Sequence, residues 1–233
     1  MSNIFLIPTF LEENSLQTIP TYVIDCIKKC SVFFVENEKS ARRYFKKVWK
    51  EMVIDDYTWI VIHNAEEEVI SSFKKYILEN KTIGIVSEAG CPCIADPGQI
   101  LVAEAHKLNA TVKPLVGPSS ILLALMASGF NGQQFKFNGY LPIEANERNK
   151  KLIELENESF KNNCTQIFIE TPYRNNNLIA DIVSICKSNT QLSISVDLTS
   201  EHEWIKTLSI KDWKKDIPNI HKKPAIFCLY SVS

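Results

Sequence analysis

Short apolar runs rich in β-branched residues alternate with amphipathic stretches along the first half of the chain, and this alternation predicts strands separated by helices. The runs at 3–8, 31–36, 57–62, 82–86 and 111–115 read as strands. Between them, helices are expected over 20–29, 38–51, from a cap at Asn64 to about Leu78 with Glu66, Glu67 and Glu68 in its first turn, and over 98–108. Repeated strand–helix order implies an open, mainly parallel sheet with helices on both faces. After about residue 114 the rhythm changes. A helix over 121–127 is followed by strands at 135–139 and 165–170 flanking a charged helix around 147–158, then a helix over 172–186 and strands at 191–197 and 225–230. The expected fold class is therefore α/β in two α/β domains, 1–114 and 115–233.

Composition narrows the class of molecule. With 233 residues and 45% hydrophobic positions, one large or two modest cores can be built, and the formal net charge of −1 gives no general preference for a polyanion. Any nucleic-acid partner must be read from a local patch. The start, MSNIFLIPTF, has no basic segment ahead of its apolar run and reads as a first strand, not a signal peptide. No apolar run approaches the ~20 residues needed to span a bilayer. Seven cysteines, at 26, 30, 91, 93, 164, 186 and 228, sit mostly in apolar contexts, which fits reduced thiols in a cytoplasm.

The stretch GIVSEAGCPCIADPG spends three of seven glycines and two of ten prolines on fifteen positions. It reads as a strand ending near Ser87, a constrained loop, and a helix starting near Pro97 with Asp96 as its N-cap. Small and φ-restricted residues there let backbone approach a bound molecule at the carboxyl end of a strand. Glu88 either pairs with a ligand hydroxyl or solvates the loop. A second turn, Val116-Gly117-Pro118-Ser119-Ser120, opens a helix; its serines are caps first, and a capped helix start is also where ligand oxygens are accepted. No G-x-G, Walker A or G-x-S-x-G motif occurs, which lowers dinucleotide, nucleoside-triphosphate and hydrolase readings. Cys91-x-Cys93 lacks a second ligand pair, so no metal is expected, and His63 and His202 read as structural or surface groups. On the helix from Glu38, Lys39, Arg42, Arg43, Lys46, Lys47 and Lys50 share an arc of roughly 140°. That stripe is either a solvated face or a phosphate-binding one, and no acid at i+4 spacing within it is expected to neutralise it.

Taken together, SEAGCPCIADPG, PLVGPSS, FKFNGYLP and IFIETPYR resemble the small-subunit ribosomal RNA 2′-O-ribose methyltransferase I branch of the tetrapyrrole methylase superfamily. The resemblance implies S-adenosylmethionine held in a cofactor cleft between two α/β domains of the tetrapyrrole methylase type, commonly in a cytoplasmic homodimer. Carried over by motif, the cofactor contacts are Pro8, Glu88, Gly90, Cys91, Pro92, Ile94, Ser119, Ser120, Glu170, Pro224 and Ala225. No general base is named; Glu36 and Glu170, both at strand ends, are the candidates. RNA is the implied substrate; where the stripe of the helix from Glu38 is the phosphate-binding face, its own pattern makes Lys39, Arg42, Arg43, Lys46 and Lys47 the contacts.

The chain departs from that pattern in places. After the first strand it reads Pro8-Thr9-Phe10-Leu11-Glu12, without the family's glycine and asparagine, and after the second Glu36-Asn37-Glu38-Lys39 replaces the usual E-D-T-R. Glu88 stands where the family has aspartate, and the chain stops soon after its last strand. These changes leave two alternatives: a small-molecule methyltransferase of the tetrapyrrole or corrinoid kind, or a cofactor- or RNA-binding scaffold without turnover.

Overall fold

The computed structural model describes residues 2–62 and 67–231. The expected cap at Asn64, its neighbour Glu66, His63 and the side chains of Glu67 and Glu68 lie outside the described residues. The chain forms two compact units, one up to Ser119 and one from Ser120 onward.

The first unit holds β1 (Asn3–Ile7), α1 (Tyr22–Ile27), β2 (Val32–Val35), α2 (Glu38–Val48), β3 (Thr58–Val61), α3 (Glu67–Leu78), β4 (Ile83–Val86), α4 (Gln99–Lys107) and β5 (Thr111–Pro114). All strand pairs are parallel, in the order β3-β2-β4-β1-β5. Parallel strands covered on both faces must be apolar on both, which is why β2 reads Val-Phe-Phe-Val and is buried throughout. Phe33 and Val35 turn towards α1 and α2, meeting Val23, Ile27, Ala41 and Phe45. Val32 and Phe34 turn the other way, towards Phe73 and Ile77 of α3 and Leu101 and Ala105 of α4.

Gly84 is required by space. A Cβ there would lie 2.6 Å from Phe33 Cδ1 and 2.7 Å from Ile7 Cδ1. Phe33 cannot retreat, because its ring is packed at 4.7 Å from Phe45 and 5.0 Å from Trp59.

Helices α1 and α2, which follow β1 and β2, cover one face; α3 and α4, which follow β3 and β4, cover the other. Strand β4 lies between β2 and β1, and its outgoing chain leaves for the opposite face from theirs. The carboxyl end of β4 is thus the place where connections diverge and a crevice opens.

The second unit holds α5 (Ser120–Ser128), β6 (Phe135–Tyr140), α6 (Ala145–Asn162), β7 (Thr165–Ile169), α7 (Asn175–Ile185), β8 (Gln191–Val196), β9 (Trp204–Ser209), α8 (Ile210–Trp213) and β10 (Ala225–Tyr230). The sheet order is β6-β7-β10-β8-β9; only β6 and β7 run parallel, and the other pairs are antiparallel. Leu192, Ile194 and Val196 join the core formed with α6 and α7, while Ser193 and Ser195 alternate with them on the face that α5 covers. Arg148 of α6, 8% exposed, is paired with Asp181 of α7 at 2.6 Å and donates to the carbonyls of Ile143 at 2.5 Å and Pro142 at 3.2 Å. This ties α6 to α7 through a charge that water barely reaches.

Candidate active site at the carboxyl edge of the parallel sheet

Four chain segments leave the parallel sheet at one edge, and side-chain and backbone bonds stitch them together. Thr9 N–H, just past β1, donates to the Gly90 carbonyl at 2.8 Å, and Tyr44 of α2 donates its hydroxyl to the Pro8 carbonyl at 2.8 Å. Glu88 N–H donates to Glu36 Oε2 at 2.9 Å, while Glu88 Oε1 accepts from the Ser40 hydroxyl at 3.0 Å. The Cys91 thiol lies 3.5 Å from the Pro118 carbonyl oxygen. The segment after β5 closes on β1 more tightly still, for a Cβ on Gly117 would fall 2.1 Å from Pro8 Cβ.

The loop from Ser87 to Gly98 is held in an unusual backbone. Gly90, Cys93, Ala95 and Gly98 have φ of 73°, 69°, 64° and 121°. For cysteine and alanine this left-handed conformation costs on the order of 1–3 kcal/mol each, so the surrounding bonds must hold it. At Gly90 a side chain would also press on Leu11 Cδ2 at 3.1 Å and the Pro118 oxygen at 3.3 Å. The result is a cradle of bare backbone at the divergence point, with Pro92 buried and Ile94, 53% exposed, presented outward.

Asp96 corrects the sequence reading. It does not cap α4: that helix starts at Gln99, its N-cap is Gly98, and no side chain caps it. Instead Asp96 is partly buried near Glu36, Ser87 and Glu88. Burial, followed by the Glu36 carboxylate, raises its pKa to about 6, and Glu88 adds to the rise. It therefore exchanges a proton close to neutral pH. A pocket of about 80 Å³ adjoins this cluster, lined by Thr9, Phe10, Arg43 and Tyr44 among others.

The basic face of α2 also differs from expectation. Glu38 is an i,i+4 partner of Arg42 at 2.6 Å, and Arg42 lies 5.4 Å from the centre of the Trp59 ring. Lys47 meets Glu13 at 2.7 Å and Arg43 lies 3.9 Å from the same carboxylate. Lys46 donates to the carbonyls of Lys50 at 2.5 Å and Met52 at 2.9 Å, closing the end of the helix. The stripe is thus largely answered by neighbours, at the two ends of the helix and from the segment after β1.

The remaining candidates, Ser119 apart, sit in the second unit, where antiparallel pairing brings the end of β7 beside the start of β10. Glu170 Oε1 accepts from Arg174 Nη2 at 2.5 Å, Arg174 Nε at 3.0 Å and Thr171 N–H at 2.6 Å; Glu170 Oε2 is buried with no partner among the described residues. Asn175 donates to the Lys223 carbonyl at 2.7 Å and Asp197 N–H to Pro224 at 3.0 Å, so Pro224 and Ala225 are pinned near Glu170. Ser119 ends the first unit and Ser120 opens α5. Sequence reasoning missed Thr9, Tyr44 and Arg174; for Arg174 the i,i+4 spacing from Glu170 was a usable signal.

All seven cysteines are free thiols, and among the described residues no group of three or more potential ligands is arranged for a metal ion. No helix among them is long and apolar enough to cross a membrane.

No family model matches the chain. Among curated proteins it is similar to ribosomal RNA small subunit methyltransferase I of Vibrio cholerae, 27% identical over 209 residues, covering 90% of this chain and 69% of that one. The same-named protein of Buchnera aphidicola from Schizaphis graminum is 35% identical over 161 residues, covering 68% of this chain and 54% of that one. Among solved structures, the methyltransferase CobJ matches with a TM-score of 0.63 at 12% identity, covering 99% of this chain and 93% of that one. Uroporphyrin-III-C-methyltransferase from Thermus thermophilus matches with a TM-score of 0.56 at 11% identity, covering 98% of this chain and 92% of that one. The relatives support the resemblance seen in the motifs, and the solved structures share the fold.

Proposed function

We propose that this protein is an S-adenosylmethionine-dependent methyltransferase acting on RNA, at a ribose 2′-hydroxyl of small-subunit ribosomal RNA. The observation that carries the reading is the loop after β4: a strained cradle of bare backbone at the divergence point of a parallel sheet, in a chain whose curated relatives are ribosomal RNA methyltransferases. Gly90, Cys91, Pro92 and Ile94 would hold the cofactor in the first unit, with Pro8 and Glu88 shaping the rim. Ser119, Ser120, Glu170, Pro224 and Ala225 complete the proposed set.

Such a group needs bare backbone to approach, and glycine supplies it at position 90, where a Cβ would press on Leu11 and the Pro118 carbonyl in a conformation that side chains rarely take. When bound, S-adenosylmethionine supplies a methyl group already activated on a sulfonium. The chain's own task is to orient the hydroxyl, exclude water and take up its proton. Asp96, poised to exchange a proton near neutrality, is better matched to that last task than Glu36, which is engaged by Glu88 N–H. Glu170, fixed by Arg174, serves positioning. The reading carries with it a cytoplasmic homodimer, a setting that the free thiols suit.

A second reading, methyl transfer to a small molecule of the tetrapyrrole kind, is favoured by one observation: the basic face of α2 is largely paired within the protein. Calorimetry with S-adenosylmethionine and methyl transfer to undermethylated 30S subunits tests both. Gly90→Val is expected to lower cofactor affinity at least about tenfold while far-ultraviolet circular dichroism is retained. Unchanged affinity in that variant removes the cradle from the cofactor site.

A further inference from the structure

The segment after β1 reads Phe10-Leu11-Glu12-Glu13-Asn14, and its two acids play different parts. Glu12 turns inward on its own loop, where Oε2 accepts from Asn14 N–H at 2.8 Å and from the Ser15 hydroxyl at 3.3 Å. Glu13 is left facing α2. Its Oε1 lies 2.7 Å from Lys47 Nζ and 3.9 Å from Arg43 Nη1, and Lys47 also donates to the Glu13 carbonyl at 3.2 Å. The lysine ammonium is further held 5.8 Å from the centre of the Phe10 ring.

Arg43 and Lys47 are one helical turn apart, and both Glu13 and Arg43 line the small pocket that reaches Ser87 and Glu88 at the end of β4. A single carboxylate therefore answers two adjacent cations, one of which, Arg43, lines the pocket beside the candidate active site. Carboxylate and phosphate are the same kind of ligand for such a pair: each presents anionic oxygens to charged N–H donors.

We propose that Glu13 is a specificity-determining competitor of the substrate backbone. In the protein without RNA it holds the place on Arg43 and Lys47 that a backbone phosphate takes, so that a strand docks there only when its other interactions suffice to displace the carboxylate. The inference rests on the RNA reading given above. It also assigns a role to the altered segment after β1, which places this acid against α2.

The test measures binding of a single-stranded RNA 20-mer across a salt series for the wild type, Glu13→Gln, Arg43→Gln/Lys47→Gln, and the triple variant. Glu13→Gln is expected to bind roughly three- to tenfold tighter at low salt, with a salt slope steeper by about 0.7, the increment for neutralising one more phosphate. The triple variant is expected to lose that tighter binding. An unchanged or weaker Glu13→Gln protein overturns the competitor. If Arg43→Gln/Lys47→Gln still weakens binding in that event, RNA binding by α2 stands without it; if no variant alters binding, α2 leaves the RNA reading as well.

Discussion

The two sheets differ in how strand direction distributes function. In the first, every strand runs the same way, so the segments after β1, β2, β4 and β5 emerge at one edge, where Thr9, Glu36, Gly90 and Pro118 meet. In the second, antiparallel pairing sends alternate strand ends to opposite edges, and what comes together is the end of β7 with the start of β10, Glu170 beside Pro224. Parallel order gathers loops, whereas mixed order pairs an end with a beginning. The faces also differ: β2 is apolar on both of its buried faces, while β8 carries the buried Ser193 and Ser195 on the face that α5 covers.

Three substitutions sharpen this contrast. Asp181→Ala would leave Arg148 buried with only carbonyl partners, and a loss of about 3 kcal/mol is expected from chemical denaturation; a loss below about 1 kcal/mol would show that α6 and α7 are joined by packing alone. In the parallel sheet, Gly84→Ala should cost about 1–3 kcal/mol, because its methyl group must displace Phe33 from among Phe45 and Trp59. A neutral result there would mean that the sheet spacing yields more easily than its packing implies.

The smallest effect is expected at Asp96. Its folded-state value, about 6, exceeds the ordinary 3.8, so the folded protein holds the proton more tightly and loses stability as pH rises from about 4 to about 6. Asp96→Asn should therefore be more stable than the wild type by ~1 kcal/mol at pH 7.5, allowing for solvent on its exposed side, with the difference disappearing below about pH 4. The same variant should lose methyl transfer if Asp96 receives the proton. A stability difference independent of pH would remove the burial argument.

The elements were legible where burial is continuous. The run Ala-Ile-Phe-Cys-Leu-Tyr was read at the bounds that β10 has, and β2 and β4 differ from expectation only at their ends. Strand β9 was not anticipated, because Trp-Ile-Lys-Thr-Leu-Ser lies at a sheet edge, is never fully buried, and follows a turn set by left-handed Asp197 and Thr199. Asp-Pro-Gly has the composition of a helix start, yet the positive φ of Gly98 delays α4 and frees Asp96 for the acidic cluster. Periodicity correctly placed the cations of α2 on one face. It could not register Glu13, which reaches them from a different part of the chain.

The packing of Pro8 on Gly117 bears on how such a protein can diversify. Gly117 accepts no side chain without moving Pro8, since the proline ring occupies the volume that any side chain at 117 would need. Together they form a fixed hinge pin, and Glu12 folds the next turn independently of it. The stretch from Thr9 to Asn14 is thus anchored at its root and self-supporting at its tip. Phe10 packs on Tyr44 and Leu11 lies against Gly90, so both belong to the foundations. A library randomised at Glu13 alone would vary the rim of the site above them, which makes that one position the natural place for selection, or an engineer, to change what the protein accepts.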